Sequence, residues 1–186
     1  MGQLVYTGIT SLDGYLTDDQ GDYGWAEPDA EVFDAVSEEI QGQGVHLYGR
    51  RMYEEMVAWD TMDQDPELPE ELRVFAHRWQ AAEKVVFSRT LDRVSTGRTR
   101  LERDFDPDAV RKLVAGADTE AVVSGPTLAA EALRAGLVDE VRVYLLPVLV
   151  GGGLPFFPAG VGLRLELVDE RRFTGGTVYA GYRVLR

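Results

Sequence analysis

The chain predicts an α/β fold: a mostly parallel central sheet flanked by helices, closed by an antiparallel C-terminal hairpin. Three observations predict it. Short apolar strands alternate with amphipathic helices through the first 150 residues. Several of those strands stop at a glycine or serine and feed straight into a helix, as at Val45-His-Leu-Tyr-Gly-Arg-Arg and Ala121-Val-Val-Ser-Gly-Pro-Thr. The last third then reads as two strands joined by Thr174-Gly-Gly-Thr177. Alternation of this kind builds a sheet covered on both faces, and a final run of strands adds an antiparallel edge.

Residues 4–10 form the first strand, and a loop rich in glycine and aspartate follows over 11–25. Val32, Phe33, Val36 and Ile40 recur at helical spacing, so 29–40 is an amphipathic helix, ended by Gly42 and Gly44. Residues 45–48 are the second strand, running into a helix over 50–57. The acidic stretch 60–71 holds Pro66 and Pro69 and reads as a surface loop; 70–80 is helical. Residues 85–87 are a buried strand, and 98–103 alternates weakly as another. Asp106-Pro107 opens a helix, with aspartate as cap and proline at the first helical position. Val122-Val123 is a strand, 126–135 a helix and 141–150 a long strand. Gly151-Gly152-Gly153 is a bend, and 164–172 and 177–185 form the hairpin.

Composition narrows the function. With 186 residues and no linker or repeat, 1–186 reads as a single domain. A net charge of −13 argues against nucleic acid or an anionic membrane as partner. The charge is uneven: residues 13–39 hold ten acids and no Lys or Arg, whereas 84–103 hold six bases against two acids. The second stretch is either a solvated basic edge or a local well for an anionic ligand. No apolar run reaches the roughly 18 residues of a membrane span, and no leader-like segment precedes the first strand. Zero cysteines fit a reducing, cytoplasmic setting. His46 and His77 lie far apart without a third ligand, so no metal is expected.

In sheets of this kind ligands sit beyond the carboxyl ends of the strands. Thr10-Ser11, Gly49-Arg50, Ser88-Arg89 and Ser124-Gly125 all fall at such ends. A helix starting there leaves bare amides that suit a phosphate, and their convergence on one edge points to a nucleotide cofactor. No Gly-x-Gly-x-x-Gly follows the first strand and no Gly-Lys-Ser or Gly-Lys-Thr occurs, which sets aside the commoner dehydrogenases and the phosphate-cradling kinases.

The motifs Ser11-Leu-Asp-Gly-Tyr15, Gly49-Arg-Arg-Met-Tyr-Glu54, Lys84-Val-Val-Phe-Ser-Arg-Thr-Leu91, Ser124-Gly-Pro-Thr-Leu128, Gly136-Leu-Val-Asp-Glu140 and Pro147-Val-Leu-Val-Gly-Gly152 occur in this order. Together they resemble the dihydrofolate reductase superfamily, and more closely its branch similar to the reductase domain of riboflavin biosynthesis. The resemblance implies a dihydrofolate-reductase-like fold and an NADPH-dependent reductase of a small pteridine-like, aminopyrimidine-like or carbonyl substrate. It implies that Gly49 and Arg50, with Arg51 beside them, meet cofactor phosphates. Ser88 and Arg89 would flank the adenosine, and Gly125, Thr127 and Leu128 would lie under the pyrophosphate. Backbone near Ile9 and Leu16 would meet the nicotinamide, and residues 13–25 would act as a lid. Asp29 or Glu31 would anchor the substrate as catalytic acid, with Trp25 and Phe33 as substrate contacts. Met52 stands where dihydrofolate reductases usually carry threonine, Ser124-Gly125 replaces a glycine pair, and no acid falls in register with Pro28. The alternative is therefore a non-catalytic nucleotide- or ligand-binding protein that retains the fold. A homodimer is a further expectation, built on residues 141–150 and the pair Phe156-Phe157.

Overall fold

A computed structural model describes residues 2–186. Its elements are β1 (Leu4–Ser11), β2 (Tyr15–Thr17), α1 (Ala30–Gly42), β3 (Gln43–Gly49), α2 (Arg50–Met56), α3 (Glu70–Ala81), β4 (Glu83–Phe87) and β5 (Thr99–Glu102). They continue with α4 (Pro107–Ala115), β6 (Glu120–Ser124), α5 (Pro126–Arg134), β7 (Glu140–Leu146), β8 (Leu154–Pro155), β9 (Arg164–Arg172) and β10 (Val178–Leu185). Eight strands form one sheet in the order β5-β4-β3-β6-β1-β7-β10-β9. Its first six members run parallel, and β10 and β9 are antiparallel. The α/β class with an antiparallel C-terminal edge is thus as the alternation of elements predicted.

Side-chain alternation along the strands divides the interior into two faces. On β3, Val45 and Leu47 face a core built with Val110 and Val114 of α4 and Leu128, Ala129, Ala132 and Leu133 of α5. Tyr48 faces the other way, toward Ile40 of α1, Tyr53 of α2 and Phe75 and Trp79 of α3. Strands covered on both sides read as continuous apolar runs, which is why Val122-Val123 was legible.

Several boundaries differ from expectation. The helix from residue 29 runs on to Gly42 and passes directly into β3, so Gly42 and Gly44 leave no loop. Gly44 serves a close approach instead: a Cβ there would lie 2.1 Å from Thr119 Oγ1. The strand expected over 141–150 ends at Leu146, because Pro147 has no N–H to continue a ladder. That strand lies inside the sheet between β1 and β10, and Phe156 is 1% exposed, stacked on Tyr6 at 4.1 Å. Of the features named for a homodimer, β7 and Phe156 are thus interior, whereas Leu149 and Phe157 are exposed. The exposed apolar side chains Leu165, Leu167 and Val178 lie on the C-terminal hairpin.

The basic stretch 84–103 does not form one well. Lys84 is buried, its Nζ donating to the Trp79 and Ala82 carbonyls at 3.0 and 2.9 Å and lying 4.3 Å over the Trp79 ring. It closes the C-terminal end of α3 from inside, where carbonyls lack helical partners. Burial pulls its pKa down to about 8. Arg98 and Arg100 sit at the starts of β4 and β5, whereas Arg89 and Arg103 sit at their far ends.

Across from Lys84, His46 is buried, with Nε2 meeting no partner among the described residues. Burial first, and then the Lys84 charge, lower its pKa to about 3 from 6.5. Between those values the unfolded chain binds the proton and the native chain does not. Stability is full above pH 6.5 and falls as pH drops toward 3, by on the order of 4 kcal/mol. Urea midpoints measured from pH 7 to pH 4 should fall steeply, and His46→Leu should flatten that slope.

Candidate active site

Because β1, β3, β4 and β6 are parallel neighbours, their carboxyl ends emerge along one edge. Tyr48 pairs with Ser124, and Gly49 with Phe87. Thr10-Ser11, Gly49-Arg50, Ser88-Arg89 and Ser124-Gly125 consequently share a rim. Gly125 has φ +88, a backbone state that side chains with a Cβ rarely adopt. A Cβ at Gly125 would lie 3.4 Å from Met52 Cβ, and one at Gly49 4.0 Å from Leu128 Cβ. The starts of α2 and α5 therefore face each other closely. In α5 no side chain caps the N-terminus, and Pro126 has no N–H, so Thr127 and Leu128 carry the bare amides. Thr127 is exposed, whereas the Leu128 side chain is core.

Arg50 stands at the head of α2, its side chain 49% exposed. Its Nε pairs with Glu54 Oε1 at 2.7 Å, and its Nη1 donates to Thr90 Oγ1 at 3.1 Å. Arg50 thus spans from α2 to the loop after β4. Arg51 is exposed and makes no ion pair among the described residues. Arg89 pairs with Asp104, its Nε 2.8 Å from Oδ1. Ser88 is buried, and its Oγ accepts from the amides of Thr90 and Leu91 at 3.2 and 3.0 Å. Its hydroxyl shapes the loop, and Arg103 ties that loop further by donating to the Ser88 and Leu91 carbonyls. Sequence reasoning missed Thr90 and Arg103; the basic surplus was the only signal for the second.

At the other end of the rim, Ile9 is half-buried against the cluster of Val32, Tyr144, Phe173 and Tyr179. Leu16 reaches back over Gly8, its Cδ2 3.6 Å from where a Cβ would stand. Thr10 is fully buried near the end of β1, and its Oγ1 has no hydrogen-bond partner among the described residues. Leaving a buried hydroxyl unpaired costs about 1–3 kcal/mol, so such a group at a ligand edge marks a place where a polar partner fits.

The acids expected to act on substrate, Asp29 and Glu31, both make hydrogen bonds that hold local structure. Asp29 caps α1, Oδ1 accepting from the Val32 amide at 2.9 Å, and Oδ2 lies where a Cβ on Gly175 would come within 2.1 Å. Glu31 accepts from the Thr174 amide at 2.9 Å and from Arg171 Nη2 at 3.3 Å. The Thr174 amide foremost holds the Glu31 carboxyl below its usual range, so it stays ionised and anchors the tip of the β9–β10 hairpin. Trp25 donates Nε1 to the Asp22 carbonyl at 3.2 Å, and Phe33 packs on Phe75 with centroids 5.5 Å apart. Among the described residues no cluster of His, Cys, Asp and Glu suits a metal ion.

The loop expected to be a lid is fastened at several points. Ser11 Oγ accepts from the Tyr15 amide, and Asp13 accepts from the Gly151 amide at 2.8 Å. Within the lid, β2 pairs with β8, a two-stranded ladder that sequence reasoning missed. Tyr23 OH donates to Glu55 Oε2 on α2 at 2.7 Å. Gly153, at φ +131, passes so close that a Cβ would lie 2.0 Å from the Thr17 carbonyl oxygen. Gly153→Ala should therefore undo the β2–β8 ladder at a cost of about 1–3 kcal/mol. Amide exchange at residues 15–17 should rise by at least about tenfold, with the main sheet unchanged.

The RibD C-terminal domain family matches residues 3–179 of this chain. The chain is 27% identical over 182 residues to the uncharacterised protein YyaP of Bacillus subtilis (strain 168), covering 97% of this chain and 94% of that one. Its fold is similar to that of a Shewanella sp. PV-4 protein named for riboflavin biosynthesis, with TM-score 0.73, 22% identity and all of both chains covered. It is also similar to a pyrimidine reductase-like protein of Corynebacterium diphtheriae, with TM-score 0.67, 16% identity, and 100% of this chain and 92% of that one covered.

Proposed function

Because this chain belongs to the RibD C-terminal domain family, we propose that it is an NADPH-dependent reductase of a small pyrimidine-type heterocycle. The observation that carries this reading is the facing pair of helix starts at Gly49 and Gly125, with Arg50 beside them. The residues present fit the cofactor. Amides of Thr127 and Leu128 would hold its pyrophosphate, since anions are favoured where helix N–H groups are unpaired. Arg50 and Thr90 would receive the 2′-phosphate, a guanidinium being a planar fork of donors that stays charged. Thr10 Oγ1 and the backbone near Ile9 would orient the nicotinamide end. When bound, NADPH supplies a hydride; the chain's own contribution is position and exclusion of water.

Lid residues from β2 to Trp25 would cover the rim, with Phe33 and Trp25 as apolar walls for the substrate. Asp29 and Glu31 would hold α1 and the hairpin in place around it. Their engagement also favours a second reading, a protein that binds the nucleotide without turning it over.

One titration separates these readings. NADPH fluorescence should change saturably on addition of protein, and pyrimidine substrates carrying amino groups should then oxidise it. Saturation without oxidation across pyrimidine and pteridine panels would support the second reading. Absence of binding at millimolar NADPH would sink both.

A further inference from the structure

The ring of Tyr53 on α2 is 3% exposed and packs with Tyr48, Phe75, Trp79 and Val86. Its hydroxyl leaves that core and meets the loop between β4 and β5. It accepts from the Ser95 amide at 2.8 Å and from the Thr96 amide at 3.3 Å. Its own hydrogen faces Ser95 Oγ and Thr96 Oγ1, both 3.3 Å away. A phenol oxygen has two lone pairs and one hydrogen, so these contacts use its full capacity. Burial alone would raise the pKa of this phenol, but the hydrogen bonds from Ser95 and Thr96 outweigh it and hold the group below its usual range.

The loop is fixed at both ends. Thr96 is buried, and its Oγ1 lies 2.7 Å from Thr99 Oγ1, where β5 begins. Near the start of the loop, Thr90 accepts from Arg50 Nη1 at 3.1 Å. Arg50 lies three residues before Tyr53, about one turn back along α2. One short helix therefore grips the loop twice, at Thr90 with Arg50 and at Ser95-Thr96 with Tyr53. Ser88 and Arg103 tie the loop to itself and to the strand ends, not to α2. Leu91 and Val94 pack against the same core, yet apolar contact is non-directional and aims no hydroxyl.

This double grip bears on the 2′-phosphate end of the rim. Because Thr90 Oγ1 accepts from Arg50, its own hydrogen is left to donate outward. Arg50 Nη2 has no partner among the described residues. The two side chains thus present donors side by side, an arrangement that suits a phosphate. Their spacing depends on where the loop sits over α2.

We propose that Tyr53 is a positioning residue for nucleotide choice, holding the β4–β5 loop so that Thr90 and Arg50 grip one 2′-phosphate together. Tyr53 itself touches no part of the cofactor. The proposal rests on the reductase reading and concerns preference for NADPH over NADH, not the hydride step.

Tyr53→Phe keeps the ring and removes the anchoring oxygen. In fluorescence titrations NADPH affinity should fall about fivefold, while NADH, which lacks the 2′-phosphate, stays within about twofold. Amide exchange at residues 90–96 should rise, with the main sheet unchanged. Combined with Thr90→Val, the loss should stay near that of Tyr53→Phe alone, because both act on one contact. If Tyr53→Phe does not fold, Thr96→Val carries the test: it spares the phenol, and the preference should shift the same way by about twofold.

No binding of NADPH by the unaltered chain would sink the reductase reading, and this proposal with it. A preference for NADPH that survives Tyr53→Phe, or Thr96→Val in its place, would overturn this proposal alone. Equal losses for both nucleotides would do the same, since they mark a purely structural anchor. So would losses that multiply when Tyr53→Phe and Thr90→Val are combined, or an unaltered chain that binds both nucleotides alike.

Discussion

Arg50→Ala is expected to weaken NADPH binding by about 10- to 100-fold, equivalent to about 1.4–2.8 kcal/mol, while leaving NADH affinity nearly unchanged. The guanidinium is half-exposed, so solvent screens it in part and a larger loss is not expected. It also holds a competing carboxylate, because Glu54 pairs with it at 2.7 Å one helical turn away. A phosphate arriving at Arg50 must share that group. Glu54→Gln should therefore tighten NADPH by a few-fold, the opposite sign from Arg50→Ala, and Thr90→Val should weaken it mildly. Fluorescence titrations of both nucleotides at fixed ionic strength read all three effects. Equal losses for NADPH and NADH in Arg50→Ala would place the guanidinium at the pyrophosphate instead.

The largest effect on stability is expected from Trp79→Ala. Trp79 is fully buried, and its Nε1 donates to Tyr48 OH at 3.1 Å. Removing a buried tryptophan costs about 3–5 kcal/mol through lost contacts and the cavity left behind. Two polar groups suffer in addition: Tyr48 OH loses its donor, and the Lys84 ammonium loses the ring beneath it. For a chain of this size the melting temperature should fall by about 10 °C or more. Trp79→Phe, which keeps a ring under Lys84 but not the donor, should lose roughly half as much.

The sheet was readable because buried parallel strands leave apolar runs that glycine and serine interrupt at one end. Asp106-Pro107 was readable for a local reason: the side chain accepts from the Asp108 amide two residues on. What stayed hidden depends on partners remote in sequence. Glu31 meets the Thr174 amide across 143 positions, and nothing near residue 31 announces the hairpin tip. Strands as short as β2 and β8 carry no periodicity, and their pairing rests on the backbone approach at Gly153. Lys84 looked like part of a basic surface because composition does not reveal that the end of α3 lies over it. The rim was legible as positions, but the commitments of its side chains were not.

The outer strand β9 has consequences for handling the protein at high concentration. Its outer edge has no neighbour among the described residues, and an open ladder of this sort is a template for stacking and fibre growth. In an antiparallel match of β9 to its own copy centred on Val168, Arg164 would oppose Arg172 and Glu166 would oppose Glu170. Like charges across a ladder repel, and the irregular register at Gly181/Tyr182 further spoils a flat match. Neutralising Arg164, Glu166, Glu170 and Arg172 together would remove that deterrent and turn a soluble border into a sticky one.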